Sequence, residues 1–249
     1  MGPKPTNRRS SRESGQAAVE SALVLPISVF LILGSLQLFM MHQARVMAEY
    51  AAFRATRAGS VNHGNCEAMN HAALAALLPT FRSVRDPAEL GEQFKAVRDN
   101  RFGDGYMLST SEDIANEDVV WIYRERPLRS AVPSDEDREF DARFNEPMQL
   151  QVTMIYWYPM RIPFADWVIY RMAAASMGVE TYLENNPLMP TADANWQPGG
   201  SGETLASDVF AKMSANVGAN KYLFPIQASH SMRMMTPAKR QYFNQQNCF

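Results

Sequence analysis

The feature of this sequence that most constrains its fold is a long, uncharged apolar run near the N-terminus. From Ser21 to Ala44 the chain contains no Asp, Glu, Lys or Arg. About 20 predominantly apolar residues in a helix are enough to cross the hydrocarbon core of a bilayer. Pro26 and Gly34 fit this interpretation, because neighbouring groups in a membrane can satisfy the backbone carbonyls that such residues free. We therefore predict a transmembrane helix that spans about residues 21–42.

A cleaved secretory signal is the other explanation of an N-terminal apolar run. The apolar core of a signal peptide has about 7–15 residues and precedes an Ala-x-Ala-like cleavage site. The run in this chain is longer, and the alanines that follow it continue a helical pattern. A permanent membrane anchor is therefore the stronger interpretation.

Basic residues on the two sides of the span bear on its orientation. Some precede it and others follow it closely: Lys4, Arg8, Arg9 and Arg12, then Arg45, Arg54 and Arg57. Because basic residues accumulate on the cytoplasmic side of a membrane, the basic tail favours a cytoplasmic N-terminus. The sequence predicts no second span, so everything after residue 44 is expected on the other side, outside the cytoplasm.

The rest of the chain has the composition of a folded domain. Of its 249 residues, 46% are hydrophobic and 20% are charged, which is enough to bury a sizeable core. A net charge of -2 gives no reason to expect a nucleic-acid partner, since such partners usually require a strongly basic surface.

Residue patterns predict how helices and strands are arranged along the chain. One long helix is expected from Gln16 to about Ala58, with a stop at Gly59. The helical pattern does not stop at the membrane, because large apolar residues recur at helical spacing from the end of the span onward: Phe39, Val46, Met47, Tyr50 and Phe53. Further helices are predicted at 67–78, 87–101, 164–175 and 205–216, and strands at 119–123, 150–158 and 226–234. These elements indicate an α+β fold, in which the long helix packs on a small, largely antiparallel sheet.

The residues just before the span form a pattern of their own. A basic tail is followed by Gly15, then four residues, then Glu20 at the edge of the apolar run. An ionisable residue at a membrane edge is costly and is by default a functional hypothesis. The alternative, purely structural explanation is that Glu20 simply lies at the membrane–water interface, or that it stabilises a helix N-terminus through the helix dipole. From these residues alone, both explanations stay open.

Residues 15–26 read GQAAVESALVLP, and this string resembles the TadE-like proteins of tight-adherence (Tad) pili. The usual run in that family is Gly-Gln-Ala-Ala-Val-Glu-Phe, followed by Ala-Leu-Val-Leu-Pro. The resemblance implies a class III prepilin signal, which a membrane aspartyl peptidase cuts after Gly15, so that Gln16 becomes the new N-terminus. It also implies that Glu20 helps the subunit to enter a filament. Ser21 stands where the family commonly has Phe or Tyr.

The resemblance implies a structural subunit and not an enzyme. It indicates a minor pseudopilin that serves adhesion or secretion through a Tad-type pilus. The implied partners are the major pilin, other pseudopilins, the prepilin peptidase, an inner-membrane assembly platform and membrane lipid. The chain then divides into a cytoplasmic leader (1–15), the long helix (16–59) and a periplasmic α+β domain (60–249), held by a single pass in the bacterial inner membrane.

Two functions other than that of a pseudopilin stay open for such a chain. One is an unprocessed, membrane-anchored periplasmic scaffold or binding protein, similar to TadG, whose N-terminus would stay intact. The other is an anchored enzyme, which requires a pocket of convergent polar groups. The sequence contains no Gly-rich phosphate loop, no Gly-x-Ser-x-Gly elbow and no His-Glu-x-x-His motif, so no catalytic residue is assigned.

The two cysteines, Cys66 and Cys248, do not form a Cys-x-x-Cys motif. A disulfide between them, which an oxidising compartment would favour, stays open beside two free thiols or an intermolecular bond. Three potential zinc ligands, His63, Cys66 and His71, lie close in sequence, but their spacing fits no common zinc site. We therefore expect neither a metal nor a cofactor.

Overall fold

The computed structural model describes the backbone of residues 10–103, 114–132, 148–176 and 203–248, with side chains except at 10–17 and 203–206. The helices are α1 (Ser10–Val61), α2 (Cys66–Phe81), α3 (Pro87–Val97), α4 (Ala165–Ser176) and α5 (Glu203–Gly218). The strands are β1 (Val120–Arg126), β2 (Gln149–Pro159) and β3 (Leu223–Arg233). The predicted α+β class is confirmed.

The strands of the described part form one antiparallel sheet in the order β1-β2-β3. In its register, Tyr156 of β2 pairs with Val120 on one side and with Ile226 on the other. Strand β2 is therefore central. The sequence pattern separated an apolar face of β2 from a face with Gln151 and Thr153, yet the structure buries most of both faces. The second face is buried because β2 has a neighbouring strand on each side. Trp121 of β1, for example, covers Trp157 on that face, with 5.0 Å between the ring centroids.

Helix α1 has 52 residues, a length of about 78 Å at 1.5 Å per residue. It begins before Gln16 and ends after Ala58, so the predicted stop at Gly59 was wrong. The chain turns instead at His63 and Gly64, which have positive φ angles of 58° and 81°. A left-handed glycine after the last turn is a common way for a helix to end.

The upper half of α1 packs on the rest of the protein through a stripe of alanines. Its members, all at most 2% exposed, are Ala44, Ala48, Ala51, Ala52 and Ala55. These small side chains let the helix backbone approach β2, β3 and α2 closely. Of the larger apolar residues that the sequence singled out, Phe39, Val46 and Tyr50 are exposed, whereas Met47 and Phe53 are half-buried. The helix therefore turns its alanines toward its own domain and three of these large apolar residues outward.

Strand β2 runs along α1 in the opposite direction. Near the upper end of α1, a Cβ atom added to Gly59 would lie 2.7 Å from Leu150 at the start of β2. At the other end, Gln37 of α1 accepts hydrogen bonds from the backbone just after β2. The segment that follows β2, including α4, is thus brought to the lower, apolar half of α1.

Candidate functional site

The lower half of α1 presents an almost continuous apolar surface. Within the described residues, α1 is the one helix long and apolar enough to span a membrane, and its most apolar stretch is almost wholly exposed. Leu23, Leu25 and Ile32 are each at least 60% exposed. A soluble protein rarely exposes so large a contiguous apolar surface. A bilayer would cover it, so the structure is consistent with membrane anchoring.

Hydroxyl groups within this apolar stretch are satisfied by the helix itself. The Ser28 hydroxyl donates a hydrogen bond to the Leu25 carbonyl oxygen at 2.9 Å, and the Ser35 hydroxyl donates to the Ile32 carbonyl oxygen at 2.8 Å. Such bonds to the preceding turn remove the cost of placing a free donor in hydrocarbon. These serines are therefore compatible with a lipid environment.

The residues assigned to processing and assembly all lie on α1. Glu20 is exposed and lines a shallow groove of about 400 Å³ beside Val24 and Ser28. The Gly15–Gln16 bond lies within the described backbone of α1, but the side chains at these two positions lie outside the described residues. Positions 16 and 20 are four residues apart, so they share one face of the helix. A carboxylate at 20 and a new amino terminus at 16 would therefore be neighbours on the surface.

Residues 15–57 match the family model described as TadE-like protein. Over this segment the chain is similar to TadE-like proteins. The TadE-like segment includes the Gly15–Gln16 bond, Glu20, the whole apolar stretch and the whole alanine stripe of α1. No curated protein and no solved structure matches the chain. The family assignment thus rests on the long helix that carries the candidate site.

The structure brings Cys66 and Cys248 together in a disulfide, with an S–S distance of 1.97 Å. The histidines near Cys66 have other partners. His63 Nδ1 lies 2.7 Å from the Pro237 carbonyl oxygen, and the His71 ring packs edge-on against Phe94. Among the described residues, no group of three or more His, Cys, Asp or Glu side chains is placed to hold a metal ion.

Gln37 is a site residue that the sequence gave no reason to select. It interrupts the apolar run, yet it is fully buried. Its Oε1 accepts hydrogen bonds from the backbone N–H groups of Arg161 at 3.3 Å and Ile162 at 3.0 Å. Gln37 therefore joins the membrane-proximal end of the sheet to the apolar half of α1. Its spacing from Gly34 and Ala44 on the buried face is the signal that could have found it.

Arg124 of β1 is a second residue that sequence reasoning missed. It is 1% exposed, and its Nη1 donates to the carbonyl oxygens of Gly64 at 2.7 Å and Tyr242 at 2.8 Å. Its guanidinium carbon lies 4.3 Å from the centre of the Phe243 ring. Burial lowers the pKa of Arg124 to about 10, so the group stays charged at neutral pH. The role of Arg124 is structural, because it ties the C-terminal segment to the turn after α1.

Proposed function

We propose that this chain is a minor pseudopilin of a Tad-type pilus. It is made as a precursor with a cytoplasmic N-terminus, and a prepilin peptidase cuts it after Gly15. Helix α1 then holds it in the bacterial inner membrane with its α+β domain in the periplasm. From there it joins the major pilin and other pseudopilins on the inner-membrane assembly platform, in a pilus that serves adhesion or secretion.

The observation that carries the proposal is the TadE-like match on one unbroken helix. That match covers Gly15, Gln16 and Glu20, and it continues through the exposed apolar stretch into the part of α1 that packs on the domain. A subunit built in this way is anchored by one half of its helix and displays a folded domain on the other half. This is the arrangement that the resemblance to pilin-like proteins implies.

The outward face of α1 above the span supports assembly through helix contacts. Val46 is 53% exposed and Tyr50 is 46% exposed, although both are large and largely apolar. Exposed apolar groups of this size mark surfaces that bind a partner. In a filament, a different face of a neighbouring α1 would cover them through a heterologous contact that repeats without closing.

Glu20 has a defined chemical role in this proposal. Removal of the leader would give Gln16 a free ammonium group, and the Glu20 carboxylate of a neighbouring subunit would pair with it. In a low-dielectric environment such a pair attracts strongly, whereas either charge left alone is penalised. The pairing would therefore fix the axial register of packed helices during assembly.

Processing is tested by measuring the N-terminal residue of the membrane-extracted protein by mass spectrometry, with and without the prepilin peptidase. We expect a chain that begins at Gln16 only when the peptidase is present. Gly15→Val should block the cut, whereas the control Gly2→Val, at a glycine remote from the bond, should be processed normally. An intact N-terminus in the presence of the peptidase would contradict the proposal and favour the unprocessed periplasmic anchor.

Assembly is tested separately with Glu20→Gln, which keeps the size of the side chain and removes its charge. The variant should be cut after Gly15 like the wild type, but it should be depleted from the sheared pilus fraction. Glu49→Gln, at an exposed glutamate on the same helix, is the matched control and should assemble normally. Normal incorporation of the Glu20 variant would exclude the proposed charge pairing.

A further inference from the structure

Helix α4 exposes its apolar face. Large apolar residues follow a helical spacing at position 164, just before α4, and at 167, 168 and 172 within it, and three of these are strongly exposed: Phe164 by 57%, Trp167 by 48% and Met172 by 59%. The side of α4 that faces the protein carries Ala165, Tyr170 and Ala174 instead. A surface helix of a water-soluble domain normally turns its apolar stripe toward the core. The exposed face of α4 therefore indicates an apolar environment outside the protein.

The start of α4 lies beside the apolar half of α1. The Phe164 ring packs edge-on against Phe30, with 5.7 Å between the ring centroids. Phe30 is near the middle of the uncharged run 21–44, about 20 Å below Ala44 at 1.5 Å per residue. Since the hydrocarbon core of a bilayer is about 30 Å thick, a bilayer that covers this run also reaches Phe164.

The turn between β2 and α4 is built to hold Phe164 at this position. Phe164 has a φ angle of 71°, which is uncommon for a bulky residue without a special constraint. Gln37 fixes the preceding backbone by accepting hydrogen bonds from Arg161 and Ile162. The location of the exposed rings beside α1 thus follows from specific contacts of the turn.

We propose that α4 lies in the bilayer leaflet on the domain side of the membrane that α1 crosses. The partner is the phospholipid bilayer itself, with Phe164, Trp167 and Met172 among the acyl chains and headgroups. With 12 residues, α4 is too short to cross the bilayer, so it occupies one leaflet only, and its first residues lie deepest, beside Phe30. This inference rests on the proposed membrane anchoring and adds a second point of attachment, which fixes how the domain is oriented on the membrane.

The test places a nitroxide spin label on the full-length protein in vesicles of phosphatidylethanolamine and phosphatidylglycerol. Met172→Cys reports on α4, and Leu31→Cys reports on the exposed apolar part of α1. The matched control is Met235→Cys, an exposed methionine whose backbone N–H bonds to Ser60 near the upper end of α1. The native cysteines are joined in the disulfide, so labelling without reductant is directed to the new thiol.

Collision rates of each label with oxygen, which concentrates in lipid, and with a water-soluble nickel chelate are then compared. We expect oxygen collisions to exceed nickel collisions at positions 172 and 31, and the reverse at 235. A label at 172 that meets nickel while the label at 31 meets oxygen would overturn the proposal and leave the membrane span intact.

Two other results would also overturn it, for different reasons. A label at 172 that neither reagent reaches would show that protein, such as a second copy of this chain, covers α4. Nickel access at both 31 and 172 would overturn the membrane span itself, and the proposed function with it. Trp167→Cys provides a second position on the exposed face of α4 and should behave like Met172→Cys.

Discussion

At Gly59, α1 passes close to both the sheet and the next helix. An added Cβ atom would lie 2.7 Å from the Leu150 Cδ2 atom and 2.7 Å from the Met69 sulfur, and both neighbours are fully buried. Overpacking a core costs about 1–3 kcal/mol, whereas replacing a helical glycine by alanine gains only about 1 kcal/mol. We therefore expect Gly59→Ala to lower the free energy of unfolding by about 1 kcal/mol, measured by chemical denaturation in detergent.

The control for this prediction is Gly91→Ala in α3. It makes the same chemical change at a helical position where an added Cβ atom meets nothing within 4 Å. Only the gain in helix propensity remains there, so Gly91→Ala should stabilise the protein by about 0.5–1 kcal/mol. If Gly59→Ala were stabilising to the same extent, close packing would not be the reason for glycine at position 59.

At the scale of whole elements, sequence patterns located the helices and strands better than they identified buried faces. The long helix, the central strand and the last strand follow from apolar periodicity, which is a local property of the chain. The buried face of α1 was missed because alanines give a weak hydrophobic signal beside Phe39 and Val46. Large apolar side chains are good evidence of burial only when water is the sole solvent, and in α1 and α4 they are exposed.

The candidate site also contains residues that a local motif identifies and residues that only distant contacts define. Gly15, Gln16 and Glu20 could be selected from sequence because the motif that contains them is short and contiguous. Gln37 and Arg124 were not selected, because the contacts that define their roles join distant parts of the chain: Arg161 is 124 residues from Gln37, and Gln246 is 122 residues from Arg124. Such contacts leave no local signature in the sequence, and the spacing of Gln37 on the helix indicates only that its side chain is buried.

Helix α5 is held in place by a cluster of opposite charges. The Glu117 carboxylate forms ion pairs with Lys212 of α5 and, at 2.7 Å, with Lys221 before β3. Burial alone would raise the pKa of Glu117, but the hydrogen bonds and charges of the two lysines outweigh burial and lower the pKa below its usual 4.5. The carboxylate therefore stabilises the fold fully above pH 4.5, and this contribution is lost as the pH falls through the lowered pKa.

We expect Glu117→Gln to be less stable than the wild type at pH 7 by on the order of 1–2 kcal/mol, between the values for exposed and buried ion pairs. The stabilities of the two proteins should begin to converge as the pH falls below 4.5 and should meet below the lowered pKa of Glu117, because only the wild type loses the charge. Thermal melts between pH 7 and pH 3 would measure this. Glu49→Gln, which removes an exposed ion pair with Arg45, is the control and should follow the wild-type pH dependence. A stability difference between Glu117→Gln and the wild type that stays constant with pH would contradict the prediction.

At the scale of the whole molecule, the C-terminal segment closes the fold against β1. The backbone N–H of Cys248 donates to the Ile122 carbonyl oxygen at 2.8 Å, and the N–H of Arg124 donates to the Gln246 carbonyl oxygen at 2.9 Å. The Asn70 side chain adds a 2.7 Å hydrogen bond to the Cys248 carbonyl oxygen. The segment thus covers the outer edge of β1 through contacts that do not depend on the Cys66–Cys248 disulfide.

The disulfide is therefore expected to act mainly on the unfolded chain. It links residues 182 positions apart, and in the chain-entropy model closing so long a loop stabilises the folded state by up to about 5 kcal/mol. Replacing both Cys66 and Cys248 by Ser should lower the denaturation midpoint strongly, while hydrogen exchange at the amides of Arg124 and position 248 stays slow under native conditions. Reductant should lower the midpoint of the wild type to that of the variant and leave the variant unchanged. Fast exchange at position 248 in the folded variant would instead show that the disulfide itself holds the C-terminal segment on β1.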